Sequence, residues 1–187
     1  MQHPEREIRV HRTQGLIRVY QAYSNQIADG ALAKQTFASP PFKMERMTWI
    51  KPSFLWMMYR SGWGRKDAGQ CRILAIEITR EGFEWALENS CPSHPPPDLS
   101  KAEWLELKAS RPVRIQWDPE RDLYLNPQPH RAIQIGLSGA AVHHYVNQWI
   151  KRVSDVTELA NTISRLVQDK EIDEARALLP IETPYTR

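Results

Sequence analysis

An α+β fold is predicted by three features of this chain. Runs rich in β-branched and aromatic residues, Leu16 to Tyr23 and Arg72 to Thr79, have the character of strands and fall in its first half. After Ala140 the apolar residues recur at helical spacing. A length of 187 residues, 41% hydrophobic and 25% charged, suits one ordinary domain with a core of its own. The expected architecture is a single globular domain over residues 15–179, with a mixed or antiparallel sheet flanked by helices and a helical C-terminal third. A flexible arm (1–14) and a tail (180–187) are expected on either side.

Each element follows from local chemistry. Leu16, Ile17, Val19, Tyr20 and Tyr23 make a first strand, and Ser24 or Asn25 can cap a helix through Ile27, Ala31 and Leu32. Pro40-Pro41 marks a surface loop before a strand from Met47 to Ile50. Pro52 suits the first position of the next helix, which runs to Ser61 and stops at Gly62. Arg72 to Thr79 is apolar on both faces except for Glu77, as a central strand would be, and a helix is expected from Glu81 to Asn89. Cys91 to Pro97 is a stiff proline loop. Ser100 and Glu103 have capping-box spacing before a helix over Lys101 to Lys108. Pro112 to Trp117 and Asp122 to Leu125 are expected to form a hairpin across Asp118-Pro119-Glu120-Arg121. A strand from Arg131 to Leu137 follows, closed by Gly136-Leu137-Ser138-Gly139. The spacing of Ala141, Val142, Tyr145, Val146, Trp149, Ile150 and Val153 predicts one long helix, and Val156 to Gln168 and Ile172 to Leu179 two more.

Composition narrows the classes of function. A net charge of +3 and a pI near 8.9 are too mild to argue nucleic-acid binding from charge alone. Cys71 and Cys91 form no CxxC motif and no zinc-spaced cluster with histidine, and adjacent His143-His144 point in different directions on a helix. The start of the chain has no apolar leader and no run is long enough to span a bilayer, so a reducing cytoplasm and no membrane are expected. No P-loop, dinucleotide fingerprint, nucleophile elbow, kinase set or EF-hand is present.

The segment from Met47 to Gly64 concentrates the candidate chemistry. Lys51-Pro52-Ser53 places an ammonium and a hydroxyl at a helix start, where free N–H groups and the dipole favour an anion; the plain alternative is a Ser53 cap with Lys51 in water. Arg60 stands at the far end of that helix. Trp49, Trp56 and Trp63, interleaved with Lys51, Arg60, Arg65 and Lys66, could stack bases, although such rings are usually core. Arg18 lies mid-strand and Glu77 is the one carboxylate of the central strand, so each needs a partner: an internal pair, Arg18 or Arg46 with Glu77, or a ligand between them in a cleft. Tyr20, Gln21 and Tyr23 crowd the end of the first strand, and Gln134 can face the same cleft.

The stretches Arg18-Val19-Tyr20-Gln21-Ala22-Tyr23 and Arg46 through Trp63, with Ile133-Gln134-Ile135-Gly136-Leu137 and Trp149-Ile150, resemble the domain of unknown function family 4291 of bacteria and fungi over nearly the whole chain. That resemblance implies a stand-alone domain and supplies no activity. The order of a strand arginine, a strand-to-helix segment with Ser53 and Tyr59, and a later polar strand residue is similar to that in ADP-ribosyltransferases. The similarity implies Arg18 on the NAD pyrophosphate, Tyr59 or Tyr23 against nicotinamide, and Glu77 or Gln134 on the ribose. The chain departs from those enzymes in lacking their catalytic glutamate two residues after another polar residue on the third strand. The expectation is a nucleotide-using transferase with NAD as a possible cofactor, catalytic Glu77 and Gln134, and ligand-binding Arg18, Tyr20, Tyr23, Trp49, Lys51, Ser53, Tyr59 and Arg60. The rival is a module that binds RNA or single-stranded DNA through Trp49, Trp63, Lys51, Arg65 and Lys66.

Overall fold

A computed structural model describes residues 4–186; residues 1–3 and 187, the outermost parts of the expected arm and tail, lie outside the described residues. The fold is α+β, with nine strands and seven α-helices among those residues. The strands make two sheets rather than one. The first is antiparallel, in the order β8 (Ile150–Asp155), β4 (Arg72–Thr79), β2 (Leu16–Tyr23), β1 (Arg9–Thr13), β9 (Thr183–Pro184). The second runs β3 (Thr48–Ile50), β7 (Pro127–Leu137), β6 (Val113–Arg121), β5 (Ser90–Pro92), and is mixed because β5 pairs parallel to β6.

Strand β4 is apolar on both faces because both are covered. Leu74, Ile76 and Ile78 join Ile17 and Val19 of β2 in a core that also holds Ile50, Ile135, Leu137, Tyr145 and Trp149. Ile73 and Ala75, with Tyr20, face a second core built from Phe54, Met57 and Met58 of α2 (Phe54–Ser61) and Ala160 and Ile163 of α6 (Thr157–Gln168). Alternation along β2 therefore sorts its polar side chains: Arg18 and Tyr20 turn one way, Gln21 and Tyr23 the other.

Three expectations are corrected. Residues 9–13 of the expected arm are strand β1, and residues 183–184 of the expected tail pair with it. The hairpin turn falls at Asp122–Asn126, not at 118–121. Asp122 Oδ1 accepts from the Tyr124 and Asn126 N–H groups at 2.9 Å each, and this local closure outcompetes the proline-containing site, which stays in β6 as a register shift. The long helix from Ala140 breaks into α5 (Ala140–His144), a π-turn over Tyr145–Trp149 and strand β8. Edge pairing with β4 overrides the helical spacing of Ile150 and Val153 there.

The π-turn carries Trp149 onto α3 (Arg80–Glu88) at Gly82, where the Cβ of any larger residue would sit 2.3 Å from the indole Cγ. There is no room for a side chain at that crossing. Gly82→Ala is therefore expected to lower stability by about 2–3 kcal/mol, despite the better helix propensity of alanine, in urea unfolding followed by circular dichroism.

Candidate functional site

The two sheets meet where β2 crosses the start of α2. The Tyr20 N–H donates to the Lys51 carbonyl at 2.7 Å, and the buried amide of Gln21 donates to Thr48 Oγ1 at 2.7 Å and to the Trp49 carbonyl at 3.1 Å. Tyr145 in the π-turn donates to Gln21 Oε1 at 2.8 Å, and Tyr23 shares a hydrogen bond with Thr48 Oγ1 at 2.9 Å. Burial pushes the Tyr23 phenol up to about 12, so it stays a neutral hydroxyl.

Beside this seam opens a cleft of about 680 Å³. Gln21, Tyr23, Thr48 and Trp49 form one side, Lys43 and Arg46 a loop wall, Lys51 and Arg60 the α2 side, and Gln116 and Gln134 the far strands. Gln116 and Gln134 sit opposite each other on β6 and β7 and both donate to Asp118, at 2.9 and 2.8 Å. Gly136 lies across from Trp49 on β7, and any Cβ there would come within 2.9 Å of the indole ring and of Met47 Sδ. The indole can lie over the strand because that position carries no side chain.

Lys51 is the unusual member. It is only 6% exposed, and its Nζ donates to the Trp49 carbonyl at 3.2 Å and lies 5.6 Å from the Trp56 ring centre. Among the described residues it makes no ion pair. Loss of hydration, with the Arg60 charge adding to it and Asp118 opposing it, lowers Lys51 to about 7. Near neutral pH this amine is partly uncharged.

Of the ten expected site residues, the cleft gathers Tyr23, Trp49, Lys51, Arg60 and Gln134. Five are elsewhere. Arg18 donates to Glu77 at 2.8 Å across the β2–β4 ladder, where the opposite neighbour of Glu77 on β8 is Arg152, so the internal-pair alternative holds. Both project from the sheet face opposite to Gln21 and Tyr23. Tyr20 packs edge-on to Phe54 in the second core, 5.4 Å between ring centres. Tyr59 is exposed, with the Arg121 guanidinium 3.5 Å from its ring centre.

Ser53 is the cap of α2, accepting from Trp56 N–H at 3.1 Å, so the helix begins at Phe54 and not at Pro52. The anion place at that helix start is filled from within the chain. Ser53 Oγ donates to Glu120 at 2.8 Å, and Glu182 accepts from the Phe54 N–H at 2.8 Å. Burial raises both carboxyls, Glu182 to about 8, with Glu120 adding to it and the Phe54 bond and Arg9 working against it. Of the residues of the rival groove, Trp49 and Lys51 line the cleft, Trp63 packs on Phe54, Arg65 donates to Ser164 and Asn161 of α6, and Lys66 is exposed.

Gln116 and Asp67 line the cleft without having been expected there, and Asp118 holds the Gln116 amide; the i, i+2 spacing of 116 and 118 on a strand was the available signal for that pair. Glu182 gave none, Lys43 lies in the expected surface loop, and Arg46, weighed as a partner of Glu77, lines the cleft instead. No group of three or more His, Cys, Asp or Glu side chains placed to hold a metal ion occurs among the described residues. No helix among them is long and apolar enough to cross a membrane.

Fold and site together define an α+β domain with a basic cleft between two sheets and a buried lysine in its wall. The model of the family described as a domain of unknown function, DUF4291, matches residues 7–185, and the chain belongs to that family. Among curated proteins none matches it.

Two substitutions separate structural from site residues. Folded Lys51 loses its proton near 7 and unfolded lysine near 10.5, so between those values the unfolded chain binds more protons and stability rises with pH. Lys51→Met is expected to stabilise the fold by about 3 kcal/mol at pH 6, with the gain shrinking towards pH 10, when thermal unfolding of both proteins is followed across that range. Arg18→Ala removes the hydrogen-bonded partner of Glu77 and is expected to cost about 3 kcal/mol in urea unfolding.

Proposed function

We propose that the chain binds a nucleotide-type anion in the Lys51 cleft, NAD among the candidates, and uses it in group transfer of the ADP-ribosyltransferase kind. The observation that supports this most directly is the convergence of Lys43, Arg46, Lys51 and Arg60 on a hollow of about 680 Å³, within the range that suits a ligand of that size. Lys43, Arg46 and Arg60 are exposed. Lys51 is buried and gains its charge when an anion arrives, because a neighbouring phosphate favours the protonated amine.

The roles follow from chemistry at each wall. Arg46 and Arg60 offer forked donors for phosphate oxygens, and Trp49 and Tyr23 offer flat surfaces for a ring. Gln134 and Gln116 are oriented by Asp118 and can receive sugar hydroxyls. NAD would bring a glycosidic bond whose cleavage leaves positive charge on the ribose. Asp67 is the carboxylate that lines the hollow and can face that charge, Asp118 accepts from Gln116 and Gln134, and Glu77 is committed to Arg18.

Calorimetric titration with NAD, ADP-ribose, ATP and inorganic phosphate tests the reading. Arg46→Ala and Arg60→Ala are each expected to weaken the bound anion about tenfold, the loss of one charge-assisted contact. At pH 8 binding should also take up a fraction of one proton, seen as an enthalpy that changes with the ionisation heat of the buffer, and Lys51→Met should abolish that dependence. Binding indifferent to all three substitutions would place the ligand elsewhere and overturn the assignment.

A further inference from the structure

We propose that Lys51 is an imine-forming residue whose side-chain amine condenses with the carbonyl carbon of an anionic aldehyde or ketone held in the cleft. This role rests on the cleft being an anion site and names the class of molecule that would fill it.

The surroundings of the amine point to this chemistry. A buried ammonium ordinarily has a carboxylate partner, because removing it from water unpaired costs several kcal/mol. Lys51 has a single hydrogen bond, to the Trp49 carbonyl, and no ion pair among the described residues. Packing alone does not require the nitrogen, since a methionine would lie against Trp56 equally well and without the desolvation cost. The charged groups that act on it are Arg60 from α2 and Asp118 from β6, with Lys43 and Arg46 on the loop wall and Asp67 as the carboxylate lining the same cleft. A lysine desolvated beside another cation is the arrangement that makes an amine nucleophilic. Arg60, which with burial suppresses its protonation, also attracts a negatively charged partner, as do Lys43 and Arg46 on the same cleft. The amine then meets an electrophile already held by its anionic group.

The chemistry needs no further reactant. The Lys51 nitrogen lone pair forms a C–N bond to the carbonyl carbon, and the carbonyl electron pair moves onto oxygen. The oxygen leaves as water with the two hydrogens of the amine, and the nitrogen–carbon double bond closes. Atoms and charge balance, and hydrolysis reverses the step. Tyr23 and Thr48 are neutral hydroxyls on the same cleft; one hydroxyl hydrogen is spent in the bond between them, and the other is free to be donated to the departing oxygen. The substrate class is a phosphorylated sugar or nucleotide with an open aldehyde or ketone form. ADP-ribose, whose terminal ribose opens to an aldehyde, belongs to it.

The test uses the full chain incubated with ADP-ribose or glyceraldehyde 3-phosphate in the presence of cyanoborohydride, which reduces an imine to a stable amine, followed by peptide mass spectrometry. Lys51 should be modified at least about tenfold faster than Lys43 or Lys66 at pH 7, as expected for a desolvated amine. Inorganic phosphate should suppress that modification, and glyceraldehyde without its phosphate should label Lys51 far more slowly. The Lys51 rate should level off above pH 8, while exposed lysines continue to speed up towards pH 10. If both compounds bind in calorimetry but Lys51 is labelled no faster than the exposed lysines, the covalent role is wrong and the anion cleft stands. If neither compound binds and none labels Lys51, both readings fail.

Discussion

The seam between the two sheets is the constraint from which the rest follows. Two sheets that share no continuous ladder need a fixed junction, and here it includes the backbone bond from Tyr20 to Lys51, the fully used amide of Gln21 and the Tyr23–Thr48 hydroxyl pair, with the Arg131 N–H donating to the Glu5 carbonyl as a second bridge. A buried amide left without partners would cost a few kcal/mol, so the position of Gln21 determines where Thr48, Trp49 and Tyr145 lie. Lys51 is part of that junction through its backbone. Its side chain therefore projects from a rigid point, which is what allows an amine to remain poorly solvated.

Polar groups in this protein fall into two sets on opposite sides of the first sheet. On one side Arg18 pairs with Glu77, and Ser53, Glu120 and Glu182 serve the first turn of α2, while Arg18 Nε and the Tyr20 hydroxyl are buried without a hydrogen-bond partner among the described residues. On the other, cations outnumber the carboxylates around an open hollow. The distinction is one of charge balance, not of polarity. A helix start with a lysine and a serine looks like an anion site in the sequence, yet its own chain supplies the anion-like groups from 67 and 128 residues further along.

Legibility tracked the range of the interactions involved. Strands β2 and β4, the Gly62 end of α2 and the capping box at Ser100 were all readable, because each is set by residues within a few positions. The split of the helix after Ala140 was not, since Ile150 and Val153 carry a helical spacing and become a strand only when the edge of β4 is available to them. Of the site, Tyr23, Trp49, Lys51, Arg60 and Gln134 were legible as unusual residues in strands and corners. Their separation from Arg18 and Glu77 was also latent in the sequence, because residues 18 and 21 differ in parity along one strand. What had no local trace was Glu182, whose contact with Phe54 depends on the last strand closing against the first.

Gly136 has an influence out of proportion to its size. It is a bare patch of backbone under Trp49, and the ring rests there because nothing stands in its way. The aperture of the hollow is thus governed by an atom that is missing from a neighbouring strand, behind the wall and out of reach of anything inside. A single methyl placed under the indole would oblige the ring to shift, and with it one wall of the hollow, without altering any other group that lines it.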